Sequence, residues 1–212
     1  MPSPYKAVCF DVGGVLTHSM ESVMPASISA SGVDFAKLAP IFLEMFVSDS
    51  DTDNPGHQLE RGEISIDHFV EIMGETGLEI RKVLHPDSEH FIMHNLKPAL
   101  VMHEFVQEVR SAGFSTGIIS NVIREWLPWW VDFTPPHDLF DAVLYSCEVG
   151  LRKPNASIYL SAAQQLNYSP EEIVYLDDFL PMVESARKVG MKVIHVTDHA
   201  AAIAEARELL GL

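Results

Sequence analysis

Apolar residues in this chain follow two periods, and the two alternate along most of its length. Short runs rich in Val, Ile and aromatic side chains cover residues 7–10, 115–119, 142–145, 173–176 and 193–196. Runs of that length and composition read as buried strands. Between them the spacing becomes helical. Met102, Phe105, Val106 and Val109 share one face, with Gly113 as the stop. Tyr159, Ala162 and Leu166 share another, on a helix opened by Lys153-Pro154-Asn155. Met182, Val183, Ala186 and Val189 form a third face, stopped by Gly190, and an Ala-rich helix runs to Leu210. Residues 122–131 read as helical with a break at Pro128, and Ser169-Pro170-Glu171-Glu172 has the form of a capping box. Strands alternating with helices predict an α/β fold, a parallel sheet covered by helices on both faces.

The alternation lapses between the first strand and Pro98, where no convincing strand occurs. Ile66, Phe69, Val70 and Met73 keep a helical spacing behind Ser65 as N-cap. Phe35, Leu38, Phe42 and Met45 also fit one face, with Pro40 expected to split that segment. Residues 49–56 are polar and carry Asn54-Pro55-Gly56, which predicts a loop. A further helix is expected over residues 79–95, interrupted near His85-Pro86. A structureless connection of this length is improbable in a compact domain, so these residues predict a small helical insert.

Composition narrows the partners. The chain has 212 residues, 47% of them hydrophobic, enough for a large core and against disorder. A formal net charge of −16 disfavours nucleic acid or an anionic membrane, both of which need a basic face. It leaves room for an anionic small molecule, because a bound cation reverses the local field. The two cysteines, Cys9 and Cys147, supply neither a disulfide framework nor a zinc spacing. No apolar run approaches the ~20 residues of a membrane span, and the first residues lack an apolar signal core. These features predict a cytoplasmic protein in a reducing compartment.

Polar residues then stand where the strands stop: Asp11, Ser120-Asn121, Lys153 and Asp177-Asp178. Each has a bland reading. Ser120-Asn121 can cap a helix, Lys153 can be a solvated charge, and Asp177-Asp178 can cap the helix that follows. One parallel sheet would nevertheless gather all of them at its carboxyl edge, where α/β folds bind ligands. Two adjacent acids ending a buried strand are costly without a cation. Gly13 and Gly14, directly after Asp11, allow close approach of backbone to a ligand.

This order of motifs resembles the haloacid dehalogenase-like hydrolases, beginning with Phe10-Asp11-Val12-Gly13-Gly14-Val15-Leu16. Leu59-Glu60-Arg61-Gly62-Glu63-Ile64, Gly150-Leu151-Arg152-Lys153-Pro154 and Tyr175-Leu176-Asp177-Asp178 are similar to one branch. That branch includes bacterial sugar-1-phosphate phosphatases and the N-terminal phosphatase domain of soluble epoxide hydrolases. The resemblance implies a three-layer Rossmann-like core of residues 1–16 and 98–212. It also implies a small helical cap, residues 17–97, inserted after the first strand. It implies a Mg²⁺-dependent phosphatase acting on a small organic phosphate through an aspartyl-phosphate, with Asp11 as nucleophile. Asp11, the backbone carbonyl of Gly13 and Asp178 would be metal ligands, and Asp177 a ligand or the partner of one. Ser120 and Lys153 would hold phosphate oxygens, and Asn121 would orient the group or its loop.

The sequence departs from the family at Gly13, where phosphatases usually carry the Asp that protonates the leaving group. The metal contact survives the change because it uses backbone, whereas a general acid is worth ~10²–10⁴-fold. A second departure is Met182, where the branch often has Asn. Two other readings stand beside phosphatase. A 2-haloacid dehalogenase would use the same Asp11, and halide departs without a proton, but such enzymes dispense with the metal that the acidic pair implies. A catalytically weakened phospho-ligand-binding protein would not need both nucleophile and metal acids. Among the other residues, Arg61 is as suited to structure as to substrate contact. Trp126, Trp129 and Trp130 suit core or pocket wall, and His18 is the histidine nearest Asp11 in sequence.

Overall fold

A computed structural model describes residues 3–47 and 49–212. Met1, Pro2 and Ser48, which fall inside the expected core and cap segments, lie outside the described residues. Five strands, β1 (Ala7–Phe10), β2 (Ser115–Ser120), β3 (Ala142–Tyr145), β4 (Ile173–Asp177) and β5 (Lys192–His195), form one parallel sheet in the order β3-β2-β1-β4-β5. Phe10 lies level with Ile118 on one side and Leu176 on the other. The chain builds outward from β1 in one direction, then returns to its other side at β4. The β1/β4 boundary is therefore the topological switch point, outside which such sheets bind ligands.

The period of two along β1 sorts its residues between two cores. Val8 and Phe10 join one cluster with Phe105, Val106 and Ala202, whereas Ala7 and Cys9 join another with Ile158, Tyr159 and Val183. The helices that supply these residues are α5 (Leu100–Ser111) and α10 (His199–Leu210) on the first face, and α8 (Ala156–Leu166) and α9 (Leu180–Lys188) on the second. Each fully buried large side chain contributes ~1.5–3 kcal/mol, which makes both faces necessary to the sheet. The three-layer α/β expectation holds. β5 begins and ends one residue earlier than expected.

Four helices stand between β1 and α5: α1 (Met20–Ser31), α2 (Phe35–Phe46), α3 (Pro55–Glu60) and α4 (Ile66–Leu84). Three expectations for this region need correction. Pro40 does not split α2, because its ring falls on an exposed side where the carbonyl it frees can meet water. Asn54-Pro55-Gly56 starts a helix instead of ending a loop: the Asn54 side chain accepts from the His57 amide, and Pro55 takes the first helical position. The helices expected around residue 73 and over residues 79–95 are largely one. α4 bends at Gly74 (φ 60°, ψ −135°) and ends before Pro86, and Ile92–Asn95 form only a 3-10 turn.

One further correction falls in the sheet half. Pro128 does not break a helix. It sits in the first turn of α6 (Leu127–Asp132), after a 3-10 turn at Arg124–Trp126. The capping box at Ser169–Glu172 is present, but it caps a single 3-10 turn, Pro170–Glu172. Among the described residues no helix is long and apolar enough to cross a membrane.

Candidate active site

Asp11 emerges at the carboxyl end of the central strand, its amide still bonded to the Leu176 carbonyl. Its carboxylate accepts from the Val12 amide at 2.7 Å and starts a wide turn, Val12–Leu16. Thr17 closes that turn. Its amide and hydroxyl both donate to the Val12 carbonyl, and its hydroxyl oxygen accepts from the Gly14 amide. Gly14 has φ 72°, and a Cβ there would lie 1.8 Å from Asp178 Oδ2. Only glycine lets this loop pass under the Asp178 carboxylate. Gly13 is different: its φ of −62° is open to any residue, and a Cβ would meet only Trp130, at 3.7 Å.

Lys153 is the centre of the charge arrangement. Its ammonium is buried and lies 3.0 Å from Asp11 Oδ1 and 2.6 Å from Asp177 Oδ2. Burial by itself would lower the Lys153 ammonium, but the two carboxylates more than offset it and hold it raised. Burial also keeps the Asp11 carboxyl above the usual range, against the pull of Lys153. Asp178 has no ion-pair partner among the described residues. Burial, with Asp11 and Asp177 beside it, pushes its carboxyl up to about 8. Oxygens of Asp11, Asp177 and Asp178 all lie within 4.8 Å of one another. Three carboxylates this close, one without a cation, are a donor set of hard oxygens suited to Mg²⁺.

Every residue expected at the site is brought to this edge, with distinct surroundings. Ser120 ends β2, fully buried, and its Oγ accepts from Trp130 Nε1 at 3.1 Å while facing Asp11. Asn121 grips the backbone of Lys153 at both ends: its Oδ1 accepts from the Lys153 amide and its Nδ2 donates to the Lys153 carbonyl. Asp177 is saturated. Oδ1 accepts from the Phe179 amide, and Oδ2 accepts from Lys153 and, at 2.5 Å, from the Tyr175 hydroxyl. Two clefts reach Asp11 and Gly13. One, of about 140 Å³, also meets Ser120, Lys153, Phe46 and Met182. The other, of about 660 Å³, meets Asp178, Met20, Glu21 and His199.

Four residues at the site carry no role readable from the sequence alone: Tyr175, Arg152, Glu60 and His199. Tyr175 also accepts from Lys153 Nζ, so it links the ammonium to Asp177. The signal was available, since residues two apart on a strand share a face. Arg152 is fully buried and binds Glu60 through Nε at 2.8 Å, joining two motifs that lie 92 residues apart. Burial pushes the Glu60 carboxyl up, and Arg152 pulls against it. Glu60 shares the smaller cleft with Asp11. His199 lines the larger cleft, hydrogen-bonded to the Gly14 carbonyl; His195 is bonded to the Asp178 carbonyl, and His18 is exposed with its ring 5.9 Å from that of His199. Arg61 is structural, bound by Asp51 and Glu63 beside the end of α3. Trp130 is buried in the core behind Ser120, and Trp126 ties the core to the end of α4 by donating to the Leu84 carbonyl.

Comparison with known proteins gives a consistent result. A family model for a haloacid dehalogenase-like hydrolase matches residues 5–190. The chain is 30% identical over 214 residues to acyl-CoA dehydrogenase family member 10 of Mus musculus, covering 98% of this chain and 19% of that protein. It is 27% identical to the sesquiterpene phosphatase astK of Aspergillus oryzae, over the full length of both. It is 26% identical to bifunctional epoxide hydrolase 2 of Rattus norvegicus, covering 97% of this chain and 39% of that one. The chain thus spans a minor part of two of these relatives and all of the third. A HAD family enzyme from Bacteroides thetaiotaomicron, solved as a magnesium complex, shares the fold at 16% identity. Its TM-score is 0.67, with 91% of this chain and 93% of that one covered. A dehalogenase structure is as similar, with a TM-score of 0.67 at 19% identity and 98% of each chain covered.

Proposed function

The chain belongs to the haloacid dehalogenase-like hydrolases, and within them we propose that it is a Mg²⁺-dependent phosphatase acting on a small organic phosphate monoester. The observation that carries this reading is Asp178: a carboxylate raised to about 8, wedged against Gly14 beside Asp11, with no cationic partner among the described residues. A dehalogenase that works without a metal would leave that carboxylate with no cation to offset it. The full-length relative named as a sesquiterpene phosphatase supports the same reading.

Asp11, Asp178 and the Gly13 carbonyl would hold Mg²⁺, and Asp177, its oxygens already engaged, would serve as the anchor of Lys153. The ion supplies positive charge between an anionic nucleophile and an anionic phosphate. Asp11 attacks phosphorus, the bond to the leaving oxygen breaks, and the acyl phosphate formed on Asp11 is then hydrolysed by water. Lys153 and the Ser120 hydroxyl hold equatorial oxygens during both displacements, where charge is spread over the phosphoryl group. Trp130 orients Ser120 by donating to its oxygen, so the Ser120 proton is free to point at the phosphate. In this account α1 to α4 act as the cap: Phe46, Met20 and Glu21 from those helices face the clefts at Asp11.

The test is a panel of phosphate esters and 2-halo acids with and without Mg²⁺, run on the wild type and on Gly13→Asp. Phosphate release that needs Mg²⁺ is expected, and halide release in its absence would overturn the assignment. Gly13→Asp has room at Cβ beside Trp130. It should accelerate alkyl phosphates more than nitrophenyl phosphate, because nitrophenolate leaves without protonation. The gain should stay within ~10²–10⁴-fold. Equal acceleration of both classes would mean that the new carboxyl acts otherwise than as the acid for the leaving group.

A further inference from the structure

Glu60, the last residue of α3, brings a carboxylate of the insert into the cleft of Asp11, Ser120 and Lys153. Its backbone is fixed to the sheet half. Ser146, just after β3, donates to the Glu60 carbonyl at 2.6 Å. Gly62 follows so close to Cys147 that a Cβ there would lie 2.4 Å from the Cys147 carbonyl oxygen. The side chain is held by one oxygen only. A guanidinium commonly meets both oxygens of a carboxylate as a fork. Here Arg152 Nε and Nη2 lie 2.8 and 2.7 Å from the same atom, Oε2, and Asn121 Nδ2 reaches it too, at 3.5 Å. Oε1 has no partner among the described residues, and the 13% of the side chain that stays exposed borders the cleft. An ionised Glu60 would repel an incoming phosphate dianion, whereas a protonated one would donate to it. Burial favours the protonated form; Arg152 and Lys153 oppose it, and Asp51 adds to it.

We propose that Glu60 is the general acid of this site, standing in from the insert for the carboxyl that Gly13 lacks. The inference rests on the phosphatase reading and adds a catalytic residue to it. As Asp11 bonds to phosphorus and the bond to the ester oxygen breaks, the proton on Glu60 Oε1 passes to that oxygen, and the alcohol leaves neutral. The Glu60 carboxylate then takes a proton from the water that attacks the aspartyl-phosphate. That step releases inorganic phosphate, frees Asp11 and returns the proton to Glu60. Arg152 holds Oε2 throughout and steadies the charge that Glu60 carries between the two steps. Other groups near Asp11 are committed elsewhere. Both oxygens of Asp177 are engaged, Asp198 caps α10 through the Ala201 amide, and His199 Nε2 donates to the Gly14 carbonyl. Glu21 lines the larger cleft but is exposed, and no group among the described residues fixes its carboxylate.

The test is the dependence of kcat/KM on the leaving group, measured with Mg²⁺ on phosphate esters from nitrophenyl to alkyl. This ratio covers the steps up to departure of the alcohol, so the water step, common to every ester, drops out. Glu60→Gln keeps the shape and an acceptor for Arg152 but has no proton to transfer. It should slow alkyl phosphates by ~10²–10⁴-fold and nitrophenyl phosphate far less. Gly13→Asp, whose carboxyl would serve the same oxygen, should help alkyl phosphates more in the Glu60→Gln background than in the wild type. Glu60→Gln should also melt below the wild type, because it strands a buried guanidinium. The double variant Glu60→Gln, Arg152→Met should melt higher than Glu60→Gln and keep the selective loss. Equal loss on all esters in Glu60→Gln would make Glu60 a structural partner of Arg152, overturning the inference and leaving the phosphatase assignment standing. Selective loss of alkyl phosphates in Glu21→Gln instead would move the acid to α1 and overturn it too. A wild type that releases phosphate from no ester would overturn both the phosphatase reading and the role of Glu60.

Discussion

Lys153→Met should be the most damaging single substitution near the site, and its damage should appear in stability before activity is assayed. The ammonium lies within 3.0 Å of both Asp11 and Asp177, and all three groups are withdrawn from water. Removing one partner of a buried ion pair typically costs ~3–5 kcal/mol, because the remaining charge is stranded. Here two carboxylates are stranded, and Tyr175 can still donate to only one of them. For a chain of this size the loss corresponds to a fall in melting temperature of about 6–20 °C. Turnover of any phosphate ester should drop by at least ~10²–10³-fold, the usual cost of one donor to the developing charge. The double variant Lys153→Met, Asp177→Asn separates the two effects. It should recover about 2 kcal/mol of stability by removing one stranded charge, with no recovery of turnover. If Lys153→Met melts like the wild type, the ammonium is not the electrostatic keystone of this edge.

Asp178→Asn should do the reverse and stabilise the metal-free protein at pH 8. The Asp178 carboxyl titrates near 8 in the folded chain, against an ordinary value of 3.8. Between those limits the folded state holds a proton that the unfolded state has released, so stability falls as pH rises through the interval. Below about pH 4 both states are protonated and the penalty vanishes. An amide carries no such penalty. The variant should therefore gain about 1–3 kcal/mol at pH 8 in chelator, after relaxation and water have absorbed part of the repulsion. That corresponds to about 3–8 °C in melting temperature. The gain should shrink to nothing near pH 4. Mg²⁺ at a hundredfold excess over its dissociation constant should raise the wild type by about 2.7 kcal/mol and leave the variant unmoved. Equal melting of the two proteins at both pH values would show that burial and the neighbouring Asp11 and Asp177 do not strain this carboxylate.

The parts of the site carried by strand ends were legible in the sequence because a parallel sheet leaves little choice. Asp11, Ser120 and the Asp177-Asp178 pair follow apolar runs, and the sheet aligns those ends within one register. What escaped depends on contacts between distant segments. Arg152 looks like an ordinary surface cation beside Lys153 until Glu60, on another element, is brought to 2.8 Å from it. The saturation of Asp177, which separates its role from that of Asp178, likewise requires Tyr175, Lys153 and the Phe179 amide in one place.

The insert was legible as helical but poorly bounded. α1 went unassigned because its apolar positions, Met20, Met24 and Ile28, are diluted by serines and interrupted by Pro25. Its caps were readable: Ser19 accepts from the Glu21 amide at one end, and Gly32, with φ 68°, stops the other. Pro55 and Pro128 read as interruptions in the sequence, whereas both begin helices in the structure, since proline loses nothing at a position whose N–H has no helical partner.

Covalent chemistry at Asp11 leaves a stereochemical signature. It can be read from the stereochemical course at phosphorus, using an isotopically chiral phosphorothioate ester hydrolysed in the presence of Mg²⁺. Two successive in-line displacements, the first by Asp11 and the second by water, predict net retention of configuration. Inversion would mean that water attacks the substrate directly, and would remove Asp11 from its role as nucleophile.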